Sequence, residues 1–136
     1  YKQPLVIGAG VSYKFSQRLR LISDLCYYNW SDYKVTYFEE VKERNFKDVV
    51  KMSVGAEYTS LIRIFHREFY CPFRVGISKD PQPMKEPNSS YLYFSLGIGL
   101  HWNKFLFDAG TLIGKEKGSG NSLSAQRIAF SLSYRL

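Results

Sequence analysis

The sequence predicts an all-β fold, an antiparallel meander of about seven transmembrane strands that forms part of an outer-membrane β-barrel. Three observations lead to this prediction. Apolar residues alternate with small or polar residues at a period of two in seven separate runs. The connections between the runs alternate between short turns and long polar loops. Aromatic residues make up 17% of the chain, and many fall beside the short turns.

Two runs form the first predicted hairpin. They cover 5–15 and 19–30, and the residues at 16–18 form a tight turn between them. In the first run, mostly apolar side chains occupy the odd positions, whereas Gly8, Gly10 and other, largely small or polar, residues occupy the even positions. This alternation predicts a strand with one apolar face and one polar face.

A polar stretch, 31–46, separates this hairpin from the third and fourth runs, which cover 47–59 and 72–79. The segment between these two runs is ambiguous because it is too long for a tight turn. A short connection is restored when both flanks of the segment extend the strands around a central turn. The two extensions and the turn are then 60–64, 68–71 and 65–67.

The C-terminal part of the chain repeats the pattern. The fifth run, 91–102, follows a loop with three prolines and precedes the tight turn at 103–104. The sixth run covers 105–114, and the closing run covers 128–136. Successive connections of a meander lie at opposite ends, so the long loops share one end. These loops are 31–46, 80–90 and 115–124.

The two faces of the predicted strands differ in the size of their side chains. One face of the closing strand carries Ile128, Phe130 and Leu132, whereas the other faces of the meander carry glycine, serine and scattered charges. A water-exposed outer face is rarely so poor in Lys and Glu, so we expect the large side chains to contact lipid. The small side chains would then line a lumen. A soluble barrel with the large side chains inside is the alternative.

Aromatic side chains are expected to form a girdle at the short-turn end, where amphipathic rings favour the headgroup level of a membrane. The six residues of this predicted girdle are Tyr13, Phe15, Tyr58, Trp102, Phe105 and Tyr134.

Eight titratable side chains fall on the small-residue face, most of them toward the short-turn end. They are Lys14, Arg20, Asp24, Glu57, Arg74, His101, Asp108 and Arg135. Glu57 and Arg74 flank the third connection and are expected to pair across its hairpin. A charge facing lipid at the bilayer midplane costs about 2–4 kcal/mol, which a wet lumen avoids. Two roles remain open, namely ion pairs that brace the barrel wall and groups that gate or pass a ligand.

Other functional classes find little support. The net charge is +7, but the basic residues are scattered, which predicts no nucleic-acid partner. His66 and His101 sit in no nucleophile–base pattern, and no GxSxG, HExxH or P-loop motif occurs, so we expect neither an enzyme nor a cofactor. Cys26 and Cys71 lack metal-ligand spacing, and the sequence predicts two unpaired thiols, with a disulfide as the alternative.

Several motifs, taken in order, resemble a known family. The stretch at 4–33 has two glycines in its first strand, then an inward Asp24 and a terminal Trp30-Ser31. The sequence SVGAEY at 53–58 is followed by PFRVGISKDPQP, and YFSLGIGLHWNKFLFDAG at 93–110 carries Asp108. These hairpins resemble those of the FadL-type outer-membrane channels for long-chain fatty acids and aromatic hydrocarbons.

The resemblance implies that residues 1–136 are the C-terminal portion of a single 14-stranded transmembrane barrel domain, without its hatch and N-terminal strands. It also implies passive uptake of a hydrophobic small molecule across the outer membrane, with outer-membrane lipid and the rest of the barrel as partners. Inward aromatic residues near the long loops are then candidates for lining a ligand pocket, and aromatic packing under the loops is the alternative. They are Tyr28, Trp30 and Tyr93. A structural or adhesive barrel acting through its external loops, and a soluble lipocalin-like binding barrel, are the competing functions.

Overall fold

Seven antiparallel strands form one open sheet in the computed structural model, which describes residues 4–31, 34–37, 40–43, 46–86, 88–118, 120 and 123–135. The strands follow one another in the order β1-β2-β5-β6-β7-β8-β9, so every neighbour in the sheet is also a neighbour along this meander. A separate two-stranded hairpin, β3-β4, interrupts the connection between β2 and β5. Across the described ranges, no helix has the length and apolar character needed to span a bilayer.

The strand bounds are as follows: β1 Leu5–Lys14, β2 Leu19–Asn29, β3 Lys34–Tyr37, β4 Glu40–Glu43, β5 Val49–Ile64, β6 Arg67–Pro81, β7 Ser90–Trp102, β8 Phe105–Lys117 and β9 Ser124–Tyr134.

The predicted all-β meander of seven strands is confirmed, and several of its boundaries differ from the prediction. The ambiguous segment does extend both strands, and its turn is the residue pair Phe65-His66 rather than three residues. The closing strand begins at Ser124, four residues earlier than expected, because its alternation continues through polar side chains. The stretch 31–46 contains β3 and β4 as well as loop. Leu136 and parts of the three long loops lie outside the described residues.

The large apolar side chains of the sheet are exposed. Within the described part of the chain, the buried apolar side chains are those of Val49, Cys71 and Pro72. Phe130 and Leu132 on β9 are 72% and 74% exposed, and Phe94 on β7 is 56% exposed. Such a sheet has no apolar core of its own. Its apolar face therefore needs a covering that the described residues do not supply.

The strands are staggered along the sheet. A line of paired residues runs from Tyr13 on β1 through Leu96 on β7 to Ile128 on β9. Strand β1 ends one residue beyond this line, whereas β7 and β9 end six residues beyond it. Relative to the same line, the starts of β1 and β9 are displaced in the same direction as their ends. A progressive stagger of this kind accompanies the strand tilt that a sheet needs to close into a barrel.

The short connections lie at one end of the sheet, as predicted. Phe65 and His66 both have positive φ, at 48° and 63°. A two-residue type I′ hairpin turn requires a positive φ at both of its central residues. Phe65 is 92% exposed at the tip. The β5–β6 hairpin reaches further than its neighbours, since β5 continues to Ile64 after its last pairing with β2 at Tyr58.

Aromatic side chains contact one another in a row at this same end. The Trp102 ring lies 6.3 Å from that of Phe105, and the Phe105 ring lies 5.1 Å from that of Tyr134. Phe69 extends the row, with its ring 6.0 Å from Trp102. Phe69 was not expected in the girdle because it lies in the segment whose strands were ambiguous.

The long connections hold one another at the opposite end. The Lys47 amide donates a hydrogen bond to the Pro83 carbonyl at 2.8 Å, and the Lys47 ammonium contacts the Asn88 side chain. The third loop approaches the second at Gly118, where an added Cβ would overlap the Asn88 carbonyl. Gly118 also has a φ of +113°, which favours glycine. The described parts of these loops therefore form one contacting group.

Glycines on the sheet provide the first testable prediction. An added Cβ at Gly99 would lie 2.7 Å from Cγ of buried Pro72 and would overlap the Asp108 carboxylate, whereas one at Gly97 meets its neighbours at 3.5 Å or more. We expect Gly99→Ala to lower the free energy of unfolding by about 1–3 kcal/mol, because a rigid ring and an ion pair must both move. Gly97→Ala, two residues away on the same face, is the matched control and should be close to neutral. Urea unfolding of the protein measures both, and equal effects would contradict the prediction.

Candidate functional site

The small-residue face of the sheet is built from glycines that receive side chains from neighbouring strands. Asp24 lies over Gly10, and Tyr93 lies over Gly114, each so close that a Cβ on the glycine would overlap it. Cys26 lies over Gly8 in the same way, with Sγ 2.9 Å from where that Cβ would be. The glycines thus let larger side chains lie flat along the sheet instead of standing up from it.

A chain of ion pairs crosses this face near its short-turn end. Arg74 on β6 donates from Nε to Glu57 Oε2 on β5 at 2.7 Å, and from Nη1 to Asp108 Oδ1 on β8 at 2.5 Å. The guanidinium reaches β8 by passing over Gly97 of β7, where the added-Cβ distances to Arg74 are 3.5 and 3.8 Å. His101 Nε2 lies 3.1 Å from the same Asp108 oxygen. The expected pairing of Glu57 with Arg74 is therefore observed.

The other predicted charges lie around this chain of ion pairs. Arg20 approaches Glu57 Oε1 at 3.9 Å, at the limit of an ion pair. Arg135 follows β9, where its backbone amide donates to the Lys104 carbonyl at 2.8 Å. Lys14 and Asp24 occupy the same face on β1 and β2, but within the described part of the chain they join no ion pair with the four central residues.

On this face the described residues form a hollow toward each end. The lower hollow, of about 580 Å³, lies at the short-turn end and includes the four residues of the ion-pair chain together with Arg20 and Arg135. The upper hollow, of about 440 Å³, lies toward the long loops and is lined by both polar and apolar groups. Its lining includes Lys51, Ser78, Tyr93 and Arg127.

The three aromatic residues predicted to line a ligand pocket are not brought together. Tyr93 borders the upper hollow, and its ring stacks on Tyr91 at 5.7 Å. Tyr28 lies under the Lys51 ammonium, which is 4.9 Å from its ring centroid. The Trp30 ring contacts Phe46 edge-on at 6.0 Å, which is the aromatic packing under the loops considered as the alternative. Of the three, Tyr93 alone is among the residues that define the upper hollow.

The sequence patterns did not identify several of the polar residues that lie on this face. Lys51 and Asp80 form an ion pair of 3.0 Å across β5 and β6. Asp80 falls in the predicted loop at 80–90, and Arg127 precedes the predicted closing strand at 128–136. Extending the period-two alternation by a few residues in each case would have put both on the small-residue face.

The two cysteines are free thiols. Cys26 lies on β2 over Gly8, on the small-residue face, whereas buried Cys71 pairs with Ser60 on the opposite side of the alternation. Strands β2 and β6 are separated by β5, so the disulfide alternative is not realised. Within the described residues, no group of His, Cys, Asp or Glu is arranged to hold a metal ion.

Comparisons with protein-family models, with curated proteins and with solved structures found no match for this chain. The chemical role of the site is therefore inferred from its geometry. On this face side chains lie over glycines, ion pairs cross several strands, and a hollow lies toward each end. Such a face can line a water-filled passage and contact a ligand within it. Its carboxylates are engaged by cations, which leaves no free nucleophile–base pair among the described side chains at its centre.

Asp48 anchors the start of the long connection at the other end of the sheet. Its carboxylate accepts hydrogen bonds from the Ser31 amide at 2.9 Å and from the Tyr27 hydroxyl at 2.7 Å. These hydrogen bonds, the Ser31 amide first, lower the pKa of Asp48 from its ordinary value of 3.8. The anchor is therefore fully stabilising above about pH 3.8 and is lost as the pH falls through the lowered pKa.

The titration of Asp48 gives the second prediction. We expect the amide resonance of Ser31 to titrate with a midpoint below pH 3.8 in NMR spectra of the full-length protein. Tyr27→Phe should raise this midpoint because it removes a hydrogen bond to the charged form. Tyr28→Phe, at the adjacent position with its side chain on the other face, should leave the midpoint in place. If the midpoint of the Ser31 titration is the same in Tyr27→Phe as in the unmodified protein, the Tyr27 hydroxyl does not stabilise the Asp48 carboxylate.

Proposed function

We propose that the chain forms part of an outer-membrane β-barrel that lets hydrophobic compounds, such as long-chain fatty acids, pass inward by diffusion. One observation carries the proposal: the large apolar side chains of the seven-stranded sheet are exposed, whereas the glycines and ion pairs occupy the other face. In water such a sheet would leave its apolar face uncovered. In a bilayer the same face meets hydrocarbon, and the polar face meets a wet lumen.

The height of the apolar face supports a membrane location. On β8 the large-residue row runs from Phe105 to Ile113 and then meets Lys115, and on β6 it runs from Phe69 to Ile77 and then meets Lys79. Nine residues at about 3.3 Å each extend about 30 Å. A strand tilt of about 40° reduces this to about 23 Å. The apolar band of outer-membrane barrels is about 25 Å tall.

The edges of the sheet indicate what completes it. Strands β1 and β9 are both edge strands of the described sheet, and because seven antiparallel strands alternate in direction, they run the same way. A second copy of this sheet in the same orientation would have to pair them in parallel. An odd number of further strands would make every pairing antiparallel, as bacterial barrels require. We therefore propose that other strands of the same barrel complete the sheet.

The exposed large-residue face weighs against a soluble lipocalin-like barrel, whose apolar side chains would point inward. The adhesive alternative draws on a different observation, namely that the described parts of the long loops contact one another and include the β3–β4 hairpin. It requires the loops, and not the lumen, to perform the function.

Paired charge substitutions test which face meets lipid. Leu96 lies on the exposed apolar face near the middle of β7, and Ser95 is its neighbour on the glycine face. We expect Leu96→Arg to lower the unfolding free energy of the full-length protein in lipid bilayers by about 2–4 kcal/mol. Ser95→Arg should lower it by much less, because its charge reaches water in the lumen. The opposite ranking of the two variants would contradict a lipid-facing apolar row.

Uptake into proteoliposomes tests the function itself. Vesicles containing the full-length protein should admit a neutral apolar probe several times faster than vesicles containing an unrelated barrel. We expect Tyr93→Ala to change this rate several-fold, since Tyr93 borders the upper hollow. Tyr134→Ala, on the apolar face of β9, removes an aromatic ring without altering the hollow and is the matched control.

Deletion of residues 34–43 separates the channel from the adhesive alternative. A channel should keep its uptake without the β3–β4 hairpin, whereas a barrel acting through this loop should lose its binding activity. A folded barrel with no uptake above the control vesicles would refute the channel.

A further inference from the structure

Cationic side chains outnumber carboxylates in the lower hollow. Three guanidinium groups, from Arg20, Arg74 and Arg135, line it together with only two carboxylates, from Glu57 and Asp108. The upper hollow carries an excess of cations as well, since Lys51, Lys79 and Arg127 line it and its carboxylate, from Asp80, is paired with Lys51. The lower hollow is distinguished by the type of its cations, because the two that Asp108 does not engage are both guanidinium groups.

Both carboxylates of the lower hollow are occupied by the central arginine. Arg74 holds Glu57 through Nε and Asp108 through Nη1, and these contacts of 2.7 and 2.5 Å are the short ones of the cluster. His101 takes up a further position on Asp108 at 3.1 Å. An incoming cation would meet acids that are already neutralised. The hollow is therefore poorly suited to binding a cation.

The two outer arginines keep most of their hydrogen-bond donors. Arg20 lies 3.9 Å from Glu57 Oε1, too far for a hydrogen bond, and its side chain is 44% exposed. The Arg135 side chain forms no ion pair within the described part of the chain, and Arg135 is exposed. They enter the hollow from β2 and from the end of β9. Tyr70, Thr59 and Asn103 add neutral donors to the same lining.

We propose that this hollow binds an oxyanion, a carboxylate or a phosphate, through the guanidinium donors of Arg20 and Arg135 that line it. The site rests on the proposed function in one respect, that the glycine face borders a water-filled lumen. A guanidinium presents a planar set of donors that matches both anions, and it stays charged at every physiological pH. The ion pairs of Arg74 form the base of the site, and Arg20 and Arg135 bind the ligand. The anion is either free in solution or the head group of an amphiphile in transit.

Calorimetric titration of the full-length protein in a non-ionic detergent tests the site with three probes: inorganic phosphate, butyrate and octanoate. We expect saturable binding that weakens as sodium chloride is added. Arg20→Gln and Arg135→Gln should each weaken it at least ten-fold. Arg127→Gln removes a cation from the same face of β9 at the other end and should change it less than two-fold.

The probes also distinguish the two sources of the anion. Octanoate that binds much more tightly than butyrate and phosphate indicates an amphiphile, whereas similar affinities indicate a free anion, and either pattern supports the site. Absence of saturable binding, or equal losses in Arg127→Gln and Arg135→Gln, would overturn it. Uptake of the neutral apolar probe is measured in parallel. A protein that admits this probe but binds no anion would refute the anion site and leave the channel standing.

Discussion

The structure depends on how a β-strand sorts its side chains between two faces. Successive residues point to opposite sides, so a strict alternation gives every strand one large apolar face and one small or polar face. Antiparallel pairing then aligns these faces across seven strands. In the described seven-stranded sheet, backbone donors and acceptors are satisfied between neighbours and remain open along the edges β1 and β9 and on one side of the protruding end of β5. The sheet is thus a single layer whose two surfaces need different surroundings.

The glycines of the polar face have a specific structural role, which is to accommodate side chains from neighbouring strands. Gly10, Gly99 and Gly114 each lie beneath a side chain from an adjacent strand, and no Cβ would fit there without displacement. Where the next strand offers glycine, Arg74 can span from β5 to β8 and hold two carboxylates that are not on adjacent strands. The ion pairs therefore act across the sheet, in addition to the backbone hydrogen bonds between neighbouring strands.

The two ends of the sheet are built in different ways. The short-turn end combines an aromatic row with a protruding hairpin, whose turn places Phe65 and His66 in a backbone region that non-glycine residues seldom adopt. Strain of this kind persists only where the flanking strands enforce it. Here the pairing of β5 with β6 continues to Ile64 and Arg67, directly beside the turn, and Arg67 packs over the Trp102 ring. An exposed Arg63–Glu68 ion pair of 2.6 Å adds a further contact between the two strands. The long-loop end relies instead on hydrogen bonds between connections.

The alternation of side chains alone determined the fold class, the seven strands of the main sheet, the parity of the connections and the face on which the eight predicted charges lie. It could do so because a period of two is a local property of the chain. It also predicted that Glu57 and Arg74 pair, since they are neighbours across one hairpin. The exact strand ends and the β3–β4 hairpin were missed, because polar residues such as Ser124 and Gln126 continue a strand only when a partner strand is present.

Only the tertiary structure decided which charges meet over longer distances. Asp108 lies on β8, two strands from Arg74, and their contact depends on the register of β6, β7 and β8 together. The same register separates Tyr93 from Trp30 and places Cys26 and Cys71 on opposite faces. Register and stagger arise from the fit of many side chains between strands far apart in sequence, and no short stretch of the chain contains that information.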